Sequence, residues 1–181
     1  NALTRHRRSL PVRVLAYDVF RQNGQLESAK ETLIEINEIA SMRRWLNSDP
    51  ATVVALGRAA LLLGADPRQV LENFFYQVRK AEPKFRETYL AIGQLALDKN
   101  DDAMAAKNFQ EGLKLFPSDP DLHCGLAKAY LSGDRAKMVE NLEAALEQNG
   151  KHTASLLQLA DHLIDAEEYD EAGKQLEKVL A

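Results

Sequence analysis

His123-Cys124 is the pair in this sequence whose side chains could carry covalent chemistry, because a thiol beside an imidazole can become a nucleophile with its own base. The pair sits in an apolar-periodic stretch that reads as helix, where successive residues project about 100° apart and do not meet. His123 is accordingly expected to pack between helices, and Cys124 to be a small residue of a groove. His162 with Asp161 and Asp165, and His152 farther off, brings together metal-ligand types. His162 and Asp165, at i and i+3, could give two ligands from one helical face; no third stands with them, so the group reads as a solvated polar face. Arg5-His6-Arg7-Arg8, with Arg13 and Arg21, has the chemistry to touch phosphate or anionic lipid. One short basic cluster in a chain of net charge −4 reads instead as a solvated terminus. The carboxylates Asp161, Asp165, Glu167, Glu168, Asp170 and Glu171 read mostly as a solvated edge, with an acidic patch for a basic partner as the sharper alternative.

No Walker loop, dinucleotide glycine fingerprint, GxSxG elbow, HExxH helix or EF-hand loop occurs. The expectation is a chain that is not an enzyme and that uses no cofactor and no metal. Cys124 is the only cysteine, which excludes an internal disulfide and a cysteine-based metal cluster. No membrane span is expected either: the longest apolar run, Ala59 to Leu63, ends at Gly64-Ala65-Asp66-Pro67, far short of the roughly 18–20 residues a bilayer needs. Charge is graded along the chain. Residues 1–50 carry 8 Lys+Arg against 6 Asp+Glu, residues 51–120 carry 9 against 9, and residues 121–181 carry 6 against 12, so the two ends should attract different partners.

The elements that must position these groups repeat. Ala105, Phe109, Gly112 and Pro117 have counterparts upstream in Leu71, Phe75, Val78 and Pro83, and downstream in Met138, Leu142 and Ala145 and then Ala172, Leu176 and Val179. The first members lie 34, 33 and 34 residues apart, and a fifth copy at Ala29, Leu33, Ile36 lies 42 residues before Leu71. The +4, +3 spacing is that of one helical face. Ahead of each copy a partner helix carries a small or aromatic residue: Tyr17, Gly57, Gly93, Ala127 and Ala160. Turn residues fill the gaps, as at Asn23-Gly24, Asn100-Asp101-Asp102 and Ser132-Gly133-Asp134. Ser48-Asp49-Pro50 and Ser118-Asp119-Pro120 read as a capping aspartate followed by proline at the first helical position, where its missing N–H costs nothing.

A helix-turn-helix period of 34 residues is that of the tetratricopeptide repeat, and the third unit resembles that family closely in Tyr89, Ile92, Gly93, Ala96, Ala105, Phe109 and Pro117. The fourth unit adds Leu126, Tyr130 and Gly133, and the fifth adds Leu159, Tyr169 and Ala172. No tryptophan opens any unit, and the first two units match poorly. The resemblance implies an all-α, right-handed α-solenoid of about five helix-turn-helix hairpins. These fall at 10–47 and 48–83, both divergent and the first with a long second helix, then 84–117, 118–150 and 151–181, after a basic segment at 1–9. The chain opens without methionine and stops at Val179-Leu180-Ala181 within an apolar-periodic helix, so a fragment of something longer, with an uncapped last hairpin, is expected.

In tetratricopeptide stacks the first helix of each hairpin lines a concave face. The resemblance places there Val14, Asp18 and Arg21; Val54, Arg58 and Leu61; Leu90, Gln94 and Leu97; Cys124, Lys128 and Leu131; and Leu157, Asp161 and Ile164. Chaperone-binding members clamp a C-terminal carboxylate with lysine and asparagine on this face. Leu90 with Gln94 and Cys124 with Lys128 stand in those places, so the clamp is absent. The apolar stripe points instead to a protein or peptide partner with hydrophobic anchors, helical or extended, lying in the groove. Nucleic acid is not expected as a partner, and self-association through the uncapped C-terminal end is a second expectation. The competing readings are the non-catalytic helical arm of a larger hydrolase or peptidase, and a basic-ended scaffold for nucleic acid or membrane.

Overall fold

The structure, a computed structural model, describes residues 9–41 and 49–180. Arg5 to Arg8, Ser48 and Ala181, which figure in the sequence reading, lie outside the described residues. Among the described residues there is helix and no strand. The helices are α1 Leu10–Gln22, α2 Leu26–Ser41, α3 Pro50–Leu62, α4, α5 Arg86–Asp98, α6 Asp102–Leu115, α7 Pro120–Tyr130, α8 Arg135–Gln148, α9 Thr153–Asp165 and α10 Tyr169–Leu180. Helix α4 is built of three continuous pieces: Pro67–Val70, a π-helical turn Leu71–Phe75, and Tyr76–Ala81. The chain divides into two compact units, Asn1–Ala91 and Ile92–Ala181.

Consecutive helices pair as hairpins because the same turn recurs. After α1, α3, α5 and α9 one residue adopts positive φ: Gly24 at 70°, Gly64 at 87°, Asn100 at 56° and Glu167 at 63°. The N–H that follows reaches back across the helix end, from Gln25 to the Phe20 carbonyl (2.8 Å), Ala65 to Ala60 (2.9 Å), Asp101 to Ala96 (2.9 Å) and Glu168 to Leu163 (2.8 Å). This six-to-one bond closes the last turn and reverses the chain. The turn between α7 and α8 is built differently, with Asp134 N–H bonded to the Tyr130 carbonyl at 2.9 Å. Helix starts are as regular. The side chains of Asp49, Asp66, Asp101, Asp119 and Asp134 accept from the backbone N–H of Thr52, Arg68, Met104, Leu122 and Lys137, satisfying donors that helix geometry leaves unpaired.

Aromatic rings set the distance between helices. Phe109 of α6 is 2% exposed, and its ring lies against both Gly93 of α5 and Gly125 of α7. A Cβ at either glycine would stand closer than 3.0 Å to it. Phe75 of α4 lies in the same way against Gly57 of α3. In unit 1, Leu10 and Val14 of α1 join Ile36 and Ile39 of α2 and Ala55 and Ala59 of α3 in one core. In unit 2, Ala127, Met138 and Leu142 form another, flanked by Tyr130, Val139 and Leu159.

One alignment drawn from the sequence is corrected. The repeat register matches Leu71 to the fully buried Ala105, but Val70 is buried (1% exposed) and Leu71 only half so. The π-turn inserts a residue between Val70 and Phe75, so the helix needs five steps where its counterpart uses four. Arg13, buried in α1, has its Nε 2.8 Å from Glu35 Oε2 in an ion pair; its N–H is not aimed for a hydrogen bond, and Nη1 has none.

Two equivalent positions differ in how their hydroxyls are satisfied. Ser155 of α9 is fully buried, 2.8 Å from His152 Nδ1, and also engages the Cys124 thiol. His152 Nε2 in turn meets Asp121 Oδ1 at 3.0 Å, tying α7 to α9. Two periods upstream, Thr88 is equally buried but its Oγ1 has no partner, because the residues corresponding to His152 and Cys124 are Phe85 and Val54. An unmet buried hydroxyl opposes folding, whereas a met one contributes. Thr88→Val is therefore expected to leave stability unchanged or raise it by about 1 kcal/mol, while Ser155→Ala lowers it by about 1–2 kcal/mol, measured by urea unfolding. The Asp49 cap adds a pH signature. Bonds from the Thr52 hydroxyl, then from its backbone N–H, hold the carboxyl below the usual carboxylate range. The stabilisation is present above the unfolded-state value of about 4 and is lost as pH falls through the lower folded value. Asp49→Ala should cost about 1 kcal/mol at neutral pH, and the gap to wild type should close in acid.

Candidate functional site

At the candidate face positions of unit 1 the first helices place charge rather than exposed apolar side chains. Asp18 and Arg21 of α1, Arg58 of α3 and Arg86 and Glu87 of α5 interact across neighbouring helices. Burial pulls the Arg58 guanidinium below the usual arginine range, Asp18 and Glu87 act to restore it, and Arg86 adds to the pull. Asp18 is open to solvent on one side and crowded by protein on the other, and that enclosure pushes its carboxyl up against the lowering effect of Arg58 and Arg21. Acid and base thus alternate from α1 to α5. Val14 and Val54 are 4% and 3% exposed and belong to the packing between helices. Leu61 and Leu90 are half-buried.

The apolar candidate positions of unit 2 are more open. Leu131, Leu157 and Ile164 are 50%, 43% and 44% exposed, and Leu97 is half-buried. The polar members are Gln94, whose Nε2 donates to Asp98 Oδ1 at 2.8 Å, the half-buried Lys128 and the exposed Asp161. Cys124 is buried and packs between helices. Burial pushes its thiol up, against the smaller effects of Lys128 and the Ser155 hydrogen bond, so it stays a protonated, weakly reactive group at neutral pH.

His123 and Cys124 point to different partners. His123 Nε2 donates to the Pro117 carbonyl at 3.0 Å, and Nδ1 lies 3.2 Å from Asn141 Oδ1. One period upstream, the Tyr89 hydroxyl donates to the Pro83 carbonyl at 2.8 Å, also across six residues. His123 is thus the counterpart of Tyr89, a side chain that pins the first helix to the turn before it. Asp165 lies 3.9 Å from Arg135, and among the described residues no three His, Cys, Asp or Glu side chains gather as metal ligands. No helix among them is long and apolar enough to cross a membrane.

Sequence reasoning missed Gly125 and the Asp121, His152, Ser155 set. The first had a signal, since Ala55, Ala91 and Gly125 each stand two residues before a repeat position (Gly57, Gly93, Ala127) and all are small. The second had none, because Asp121 and His152 are 31 residues apart and meet only once α7 and α9 are adjacent.

Residues 87–119 match the family model of the tetratricopeptide repeat. No curated protein sequence matches the chain. Among solved structures, TTC0263, a thermophilic tetratricopeptide protein of Thermus thermophilus, is similar with a TM-score of 0.70 at 19% identity, over 95% of this chain and 90% of that one. PilF of Pseudomonas aeruginosa gives 0.62 at 17% identity over 94% and 74%, and MamA of Desulfovibrio magneticus RS-1 gives 0.59 at 19% identity over 93% of each. At these identities the likeness is one of fold. The chain is a helical-hairpin protein of the tetratricopeptide α-solenoid fold, and residues 87–119 are a tetratricopeptide repeat.

Proposed function

We propose that the chain is a protein-interaction module whose first-helix faces hold a helical or extended peptide segment through hydrophobic anchors. The hairpin units would be those at 10–47, 48–83, 84–117, 118–150 and 151–181. One observation carries the reading. Leu131, Leu157 and Ile164, from first helices of unit 2, stand 43–50% exposed, whereas Cys124 of the same unit is buried. Large apolar side chains left open in this way, with Gln94, Lys128 and Asp161 between them, suit a partner whose apolar anchors cover them while its polar groups meet the rest. In unit 1 the mutually compensating Asp18, Arg58 and Glu87 suit orientation of a ligand more than affinity, since paired charges steer encounter and register.

The test uses peptides selected by display against the intact chain. Enriched sequences should share spaced apolar anchors. Leu131→Glu combined with Leu157→Glu should weaken their binding at least roughly tenfold, as loss of central anchors does, with helical circular dichroism intact because both side chains are already exposed. Leu90→Glu should weaken it less, since Leu90 is half-buried. Undiminished affinity in the folded double variant would remove the first-helix face as the binding surface.

A further inference from the structure

We infer that the segment held by unit 2 carries an acidic side chain for Lys128 and a basic side chain for Asp161, beside the apolar anchors that cover Leu131 and Ile164, and so binds in one direction. This rests on the groove reading and names the chemistry of its partner. Lys128 and Asp161 share a repeat position, directly after Ala127 in α7 and Ala160 in α9, and Leu131 and Ile164 stand three residues further on. A step of three keeps each pair on one helical face. Helix α7 has neighbours on both sides: the Phe109 ring of α6 lies against Gly125, and His152 Nε2 at the start of α9 lies 3.0 Å from Asp121 Oδ1. Lys128 is nevertheless only half-buried and Leu131 is exposed, so this row of positions stays open where helices pack on both sides of it.

The two charges are opposite in sign and have no partner in the chain. Neither has an opposite charge three or four residues away in its own helix. Those places hold Cys124, Gly125, Leu131 and Ser132 around Lys128, and around Asp161 they are apolar or amide apart from Asp165, a second acid. Among the described residues no ion pair reaches either one. The titratable group that Lys128 acts on is the Cys124 thiol, which burial keeps protonated and uncharged. Comparable groups are matched within the chain. Lys137 meets Asp134 at 3.0 Å at the start of α8, Gln94 at the same repeat position in α5 donates to Asp98, and in unit 1 Asp18 and Glu87 compensate Arg58.

A partner that brings the opposite charge to each of these groups replaces their water with ion pairs, whereas a partner of one sign meets repulsion at one of the two. Asp161 opposes a polyanion such as nucleic acid, and Lys128 opposes a polybasic segment. The occupant that fits is a polypeptide segment with an acid, a base and apolar anchors. Laying that segment in the reverse direction sets like charges together, which fixes its orientation.

A random peptide library selected on the intact chain, followed by fluorescence anisotropy of the enriched peptides, tests this. Enriched sequences should hold an acid and a base in constant order around the apolar anchors. Lys128→Glu should weaken their binding at least roughly tenfold, because a like charge then faces the acid, and Lys128→Arg should keep it. Changing the acid of the peptide to lysine should restore binding to the Lys128→Glu variant. Selection on the double reversal, Lys128→Glu with Asp161→Lys, should enrich the opposite order of charges. Helical circular dichroism should be unchanged in each variant, since both side chains are open to solvent. Charges without order, peptides of one sign alone, or affinity that survives Lys128→Glu would overturn the inference, and the groove reading would stand if Leu131→Glu with Leu157→Glu still weakens binding. Affinity that falls in the charge variants but survives that leucine pair would instead remove the groove reading, and the inference with it.

Discussion

The fold depends on an aromatic ring laid against glycine. Phe109 reaches from the second helix of one hairpin to Gly93 of its partner helix and to Gly125 of the hairpin that follows, and a methyl group at either glycine would stand 2.4 Å from a ring carbon. A ring fixed on both sides sets how closely α5, α6 and α7 approach. It also sets their axial register, because a glycine offers room over one residue only. Phe75 against Gly57 makes the same contact in unit 1. The glycines cost helix propensity, about 1 kcal/mol each relative to alanine, so their presence in mid-helix is explained by what the ring gains from them. A buried phenylalanine removes some 150–250 Å² from water, which outweighs that cost.

What this interlock leaves over becomes surface. Positions of the first helices that point between hairpins are closed by packing, as Val54 and Cys124 are. Others stay open, as Leu131 and Ile164 do four residues after their repeat positions, and Leu157 is 43% exposed although it stands at the same repeat position as Val54 and Cys124.

The fold was legible because its determinants are periodic. Ala105, Phe109 and Gly112 declare a helical face, their copies declare the repeat, and Asp-Pro pairs at Asp49 and Asp119 declare helix starts. The alignment slips at Leu71, since a π-turn adds a residue without any residue type that announces it. The candidate face was legible only as a list of positions: a first-helix register says which side chains share a side, and says nothing of depth. Val54 and Leu131 look alike in sequence and differ because one is covered by neighbouring helices. Contacts such as His152 with Asp121 join residues far apart in the chain, which no local pattern can reveal. His123 looks like a partner for Cys124 by adjacency, whereas its role follows from its distance to Pro117, the distance Tyr89 keeps from Pro83.

The measurement that tests the interlock most directly is a double-mutant cycle between Gly125 and Phe109, read by urea unfolding. With the phenylalanine ring in place, Gly125→Ala should destabilise the chain. The overpacking cost of about 1–3 kcal/mol exceeds the helix-propensity gain of about 1 kcal/mol. With Phe109→Leu the ring is gone, and the same Gly125→Ala should become neutral or stabilising, giving a coupling of about 1–3 kcal/mol. If Gly125→Ala stabilises the chain equally in both backgrounds, the ring does not rest on that glycine and the spacing of the hairpins has another cause.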